Sequence, residues 1–205
     1  MTNTLHRRGA PEDLRHDYVV FATVHGGKGR PEIAEAFRRF REIVAKYEPV
    51  MKPLPNHGTY KDINVVEPAP AEPGASATFD DYEKVVKVVA ELKAADLGIS
   101  INISGPLDEV ACACQAAGFT RHSVEHSLGV HGNRDLLPTA DVLEINTLCG
   151  HGMVSHNAVR RMIDLVKQRK ITLDEAATLL ARPCTCGVVN KTRAKQILER
   201  ARKLG

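Results

Sequence analysis

Tyr18 to Val24 reads Y-V-V-F-A-T-V, an unbroken run of β-branched, aromatic and small apolar residues. A run of this length without polar alternation predicts a strand buried on both faces. The chain then turns through H-G-G-K-G-R at 25–30 to Pro31, a favoured first helical residue. Ile33, Phe37, Phe40, Val44 and Tyr47 share one helical face, which predicts an amphipathic helix over 31–47. Upstream, residues 1–16 are polar and rich in His and Arg, an arm or loop that could fold over a site.

Downstream, a Pro-rich link leads to a short strand predicted at Ile63 to Val66, and E-P-A-P-A-E-P-G-A-S at 67–76 reads as a loop. Asp80 with Glu83 resembles a capping box, followed by Val85, Val88, Val89 and Leu92 at helical spacing, with Gly98 as the stop. Ile99 to Ile103 alternates as I-S-I-N-I, a strand, and Leu107, Val110, Ala111, Cys114 and Ala117 line the next helix, ended by Gly118. Alternation over Arg121 to Val130 and the apolar run Val142 to Leu148 predict two more strands. Ser155, Thr172 and Asn190 are N-cap residues for helices at 155–169, 172–182 and 190–203, and T-L-D-E at 172–175 is a further capping box.

Strands alternating with helices predict an α/β fold: a layered, mainly parallel sheet with flanking helices and a C-terminal three-helix segment. A ferredoxin-like βαββαβ α+β core is the competing topology. Residues 1–148 form the α/β part and 149–205 a helical, cysteine-bearing segment packed on it as a single compact unit.

Apolar residues make up 43% of the 205, enough for a real core, and that core is aliphatic because Trp is absent and Phe and Tyr number five and four. The net charge of +3 is too mild to argue for a polyanionic partner, and aromatic platforms for base stacking are lacking. No stretch approaches the ~20 apolar residues of a membrane span and M-T-N-T-L-H-R-R-G is no signal peptide, so a cytoplasmic location is expected. In that compartment clustered cysteines point to metal or catalysis before disulfides.

Three of the five cysteines bracket one stretch: L-C-G-H-G at 148–152 and R-P-C-T-C-G at 182–187. The two predicted helices between them run out roughly 22 Å and back roughly 15 Å at 1.5 Å per residue, so a hairpin returns Cys184 and Cys186 to Cys149. With His151 the set is Cys3His, a closed zinc site. With the three thiolates alone it suits a [4Fe-4S] cluster with one open iron, a Lewis acid for dehydration or sulfur removal. C-x-C rather than C-x2-C leans toward a cluster or a redox pair, and unrelated buried thiols are the alternative. Cys114 reads as core packing, and Cys112 points elsewhere.

Strand-end turns would share one edge of a parallel sheet: His25-Gly26-Gly27-Lys28, Ser104-Gly105, His131-Gly132 and Cys149 to Gly152. Gly26, Gly27, Lys28 and Arg30, at a strand-to-helix turn, form a candidate anion site. His25, His131 and His151 are the candidate acid–base groups, His122 and His126 share a strand face, and Glu125 and Glu144 are a possible carboxylate pair. Without G-x-S-x-G or H-E-x-x-H, a serine hydrolase or zincin of those types is disfavoured. The expectation is a metal- or iron–sulfur-dependent enzyme acting on a small anionic substrate in lyase, hydratase or sulfur-transfer chemistry. Its rivals are a structural zinc module that binds a partner and a thiol redox protein; a homo-oligomer stays open.

Overall fold

A computed structural model describes residues 6–24, 31–53 and 75–204. The turn at 25–30 and the strand expected at Ile63 to Val66 lie outside the described residues. The elements are α1 (Pro11–Leu14), β1 (Tyr18–Thr23), α2 (Pro31–Ala45), β2 (Ser76–Phe79), α3 (Tyr82–Ala95), β3 (Ser100–Ser104), α4 (Leu107–Ala116), a 3-10 turn (Arg134–Leu136), α5 (Ala140–Asn146), α6 (His156–Lys167), α7 (Leu173–Ala181) and α8 (Lys191–Lys203).

β1 is the centre of a three-stranded sheet ordered β2-β1-β3. Its alternate side chains feed two cores, as an unpatterned apolar run requires. Tyr18 and Val20 join Ala77 and Phe79 of β2 and Phe40, Val44, Val85 and Val88 of α2 and α3. Val19 points the other way, into Val142, Ile145, Val159, Ile163, Leu180 and Leu198 of the four C-terminal helices. Fold class is therefore mixed α/β in three layers, helices on both faces of one small sheet.

The mainly parallel sheet expected from the sequence is corrected: β1 runs antiparallel to both neighbours, with Val19 opposite Thr78 and Ser104, and Val20 opposite Ala77 and Ile103. The helix α3 does join two strands of the same sense, β2 and β3, as a crossover should, but β1 lies between them. Outside β2, the chain leaving α2 closes that edge with an antiparallel bridge, Met51 to Thr78.

Three further expectations change. Val142 to Leu148 is not a strand; Val142, Ile145 and Leu148 recur at helical spacing, and burying that stripe wins for a run too short for periodicity to decide. Arg121 to Val130 forms no strand and pairs with no strand among the described residues, and it is exposed save for the half-buried Val130. Ser76–Phe79, read in part as loop, is a strand whose small residues suit a fully buried position.

The caps of the last three helices agree with the sequence. The Ser155 and Asn190 side chains accept from Ala158 N at 3.1 Å and Arg193 N at 3.0 Å, and Thr172 with Glu175 completes a capping box. At the start of α3 the cap is Asp81, one residue beyond the expected Asp80. Among the described residues no helix is long and apolar enough to cross a membrane.

Candidate cysteine centre

The last turn of α5 delivers Cys149 into the core. Thr147 Oγ1 donates to Leu143 O at 2.7 Å, Cys149 N donates to Asn146 O, and Asn146 Nδ2 closes the following loop on Val154 O. At the other end, α7 stops at Ala181, Cys184 N donates back to Ala181 O, and Gly187 N to Cys184 O, so both thiols of C-x-C sit on one tight turn. That turn is fastened to the sheet. Ser76 Oγ donates to Cys186 O at 2.6 Å and Thr78 Oγ1 to Val188 O at 3.2 Å.

The returning hairpin brings the thiols together. Cys184 hydrogen-bonds Cys149, whose sulfur also accepts the backbone N–H groups of Met153 and His151. Cys186 Sγ lies 3.5 Å from His151 Nδ1. Cys149 is fully buried, Cys184 nearly so, and Cys186 and His151 are half-buried, so the cluster has an open side.

Its electrostatics follow from that geometry. The Cys184 hydrogen bond, aided by two amides and His151 against the cost of burial, pulls the Cys149 thiol down to about 5. The same bond and burial push Cys184 up, and burial pushes Cys186 up. Near neutrality the pair therefore holds one proton, carried by Cys184 and shared with the Cys149 thiolate. In an unfolded chain both thiols keep their protons up to the ordinary cysteine range, ~8.5. Between about pH 5 and that range the unfolded state binds more protons, so stability rises with pH; above it the folded pair keeps a proton the unfolded chain has lost, and stability falls. Denaturant titration of metal-free protein from pH 5.5 to 10 should show this dome. Cys149→Ser should remove the rising limb; a limb unchanged by that substitution refutes the shared proton.

Of the N-terminal stretch read as an arm or loop, Pro11–Leu14 is a short helix and Arg7 and Arg8 lie against the cysteine turns. Arg7 Nη2 donates to Leu148 O at 3.1 Å and Val188 O at 2.5 Å, the carbonyls flanking the two cysteine turns, and Arg8 N donates to Thr147 Oγ1. Arg7 in turn pairs with Asp17 at 2.6 Å, and Asp17 with Arg193 of α8 at 2.7 Å. Asn190 Nδ2 completes the network on His16 O and Asp17 Oδ1. Periodicity missed Arg7, Asp17, Arg193, Ser76 and Thr78, because partners more than a hundred residues away leave no local pattern; an Asp beside an apolar strand was the one available hint.

Of the other expected site residues, the described ones do not gather here. His25, Gly26, Gly27, Lys28 and Arg30 lie outside the described residues. The convergence of β1 and β3 exits is corrected: Thr23 pairs with Ser100 and Val19 with Ser104, so the two strands end at opposite edges. Gly105 is small because a Cβ there would fall 2.7 Å from the Tyr18 ring. His131, His122 and His126 stand on the exposed stretch, with His131 Nε2 3.2 Å from Leu128 O. Glu144 pairs with Arg200 at 2.6 Å, not with Glu125. Cys114 is buried and Cys112 exposed, as their helix positions imply.

A soft donor set of three sulfurs and an imidazole suits zinc or an iron–sulfur cluster in chemistry. As placed, however, no group of three or more His, Cys, Asp or Glu among the described residues is arranged to hold a metal ion. No protein-family profile, curated protein or solved structure matches the chain.

Proposed function

We propose that the protein is a metal- or iron–sulfur-dependent enzyme centred on Cys149, Cys184 and Cys186, with His151 as fourth ligand or acid–base group. The observation that supports it is that turns 35 residues apart bring Cys184 to Cys149 and Cys186 to His151, with Cys186 and His151 half-buried. Binding requires the Cys184 proton to leave and the donors to close in from their present positions, which a charge of two or more on the metal favours. The amides of His151 and Met153 already point at Cys149 sulfur, the kind of hydrogen bond that tunes an iron–sulfur potential. Bound there, the group would supply a Lewis acid or a labile sulfur for lyase, hydratase or sulfur-transfer chemistry on a small anionic substrate. Lys28 and Arg30, with Gly26 and Gly27, are the groups of this chain proposed to hold the substrate's charge, and His25 on the same turn is the proposed acid–base residue.

A structural zinc module is the second reading. The hydrogen-bonded Cys149–Cys184 pair favours it, because tetrahedral Zn–S bonds of ~2.3 Å hold sulfurs about 3.8 Å apart. A cytoplasmic location is part of the proposal, because a centre of this kind needs its thiols kept reduced. For the fold, we take the ferredoxin-like alternative over the parallel sheet. The sheet order, all antiparallel with Met51 bridging β2, is that of a βαββαβ core whose second strand has shrunk to one bridge.

Anaerobic purification with metal and sulfide analysis tests the assignment. Iron and sulfide in equal amounts support the enzyme, and one zinc without sulfide supports the structural module. Metal-free protein with three titratable thiols and unchanged melting overturns both and leaves thiol redox chemistry.

A further inference from the structure

β3 is an edge strand. One side bonds β1, and among the described residues no backbone group of Ser100–Ser104 bonds anything on the other. Natural edges are guarded by charges, prolines or bulges. This one, S-I-N-I-S, has none.

Elsewhere the chain carries a segment built to fill such an edge. From 117 to 133 no helix or strand forms, longer than the ~12–15 residues beyond which an irregular loop in a compact domain is commonly functional. Within it Arg121 to Leu128 alternates: Val124, His126 and Leu128 on one side, Ser123, Glu125 and Ser127 on the other. Leu128 is 83% exposed and Val124 46%, apolar side chains left in water by this arrangement. Gly118, Gly129 and Gly132 have positive φ, and nothing lies within 4 Å of a Cβ at the last two, so the arm is jointed at both ends. Arg121 anchors its base through Leu107 O at 2.7 Å.

We infer that Arg121 to Leu128 is an exchange arm that adds as a fourth strand to the open β3 edge of a second copy of this chain, making a two-fold dimer by reciprocal pairing. The faces match. Val124 and Leu128 would extend the half-buried row Ile99, Ile101 and Ile103, while Ser123, Glu125 and Ser127 would extend the polar row Ser100, Asn102 and Ser104. Ladder hydrogen bonds supply affinity and the alternate apolar side chains supply register. Reciprocity closes the assembly at two copies instead of leaving a growing filament.

Light scattering of the full chain across a hundredfold concentration range, with hydrogen exchange on β3, tests this. The wild type should weigh twice 22.4 kDa and protect β3 amides as dimer forms. The variant Val124→Asp with Leu128→Asp, both at exposed positions, should be monomeric with unchanged circular dichroism and melting. Glu125→Pro and His126→Pro, made singly, separate strand pairing from simple apolar contact. Successive residues face opposite sides of a strand, so one of the two must remove a ladder N–H. A wild type that stays monomeric, an aspartate variant that still dimerises, a dimer indifferent to both prolines, or an arm protected in monomers each overturns the proposal.

Discussion

Asp17→Ala is expected to cost the fold about 3–5 kcal/mol, the toll of leaving a buried charge without its partner. The Asp17 side chain is fully buried, Arg193 is 1% exposed and Arg7 9%, and one carboxylate serves both guanidinium groups. Without it two cations face each other in the core with only carbonyls, Arg8 O, Leu148 O and Val188 O among them, as partners. Against a total of about 5–15 kcal/mol for an ordinary domain, that loss approaches unfolding. Urea denaturation measures it, and Arg193→Met in the Asp17→Ala background should return part of the loss because one stranded charge is gone. A cost below ~1 kcal/mol would mean that water reaches the network. The same substitution frees Arg7 from its anchor, so thiol reagents should reach the cysteine centre faster than in the wild type.

Gly187→Ala is expected to dislodge the Cys184–Cys186 turn. Gly187 sits at φ +62°, and a Cβ there would lie 2.4 Å from the Lys52 carbonyl carbon and the Pro53 nitrogen. The left-handed conformation alone costs a non-glycine residue about 1–2 kcal/mol. Backbone on the other side cannot swing away as a flexible side chain would, so a total near 3 kcal/mol is expected, in the range of serious core defects. The carbonyl of Cys186 would also part from Ser76, which pins the turn to the sheet. Melting temperature gives the cost, and thiol titration gives its local meaning. Cys186 and Cys184 should become accessible while Cys114, on the far helix, keeps its protection. A stable variant with all thiols as in the wild type would show that the turn and the 52–53 segment are not in contact.

Legibility varied with how local the cause is. The caps at Ser155, Thr172 and Asn190 were readable because a cap involves residues three positions apart, and the return of Cys184 to Cys149 was readable from helix lengths. Val142 to Leu148 was misread because seven residues offer both a period of two and a period near three and a half. Arg121 to Leu128 shows a strand pattern but pairs with no strand among the described residues.

The sequence by itself determined the helices marked by caps at Ser155, Thr172 and Asn190, the burial of Tyr18 to Thr23 between two cores, and the return of Cys184 to Cys149. Only the tertiary structure decided that β1 separates β2 from β3 and turns the sheet antiparallel, and that Asp17 binds Arg7 and Arg193 over the cysteine turns. Strand order and long-range ion pairs are chosen by which surfaces bury best against each other, and that competition leaves no periodic trace along the chain.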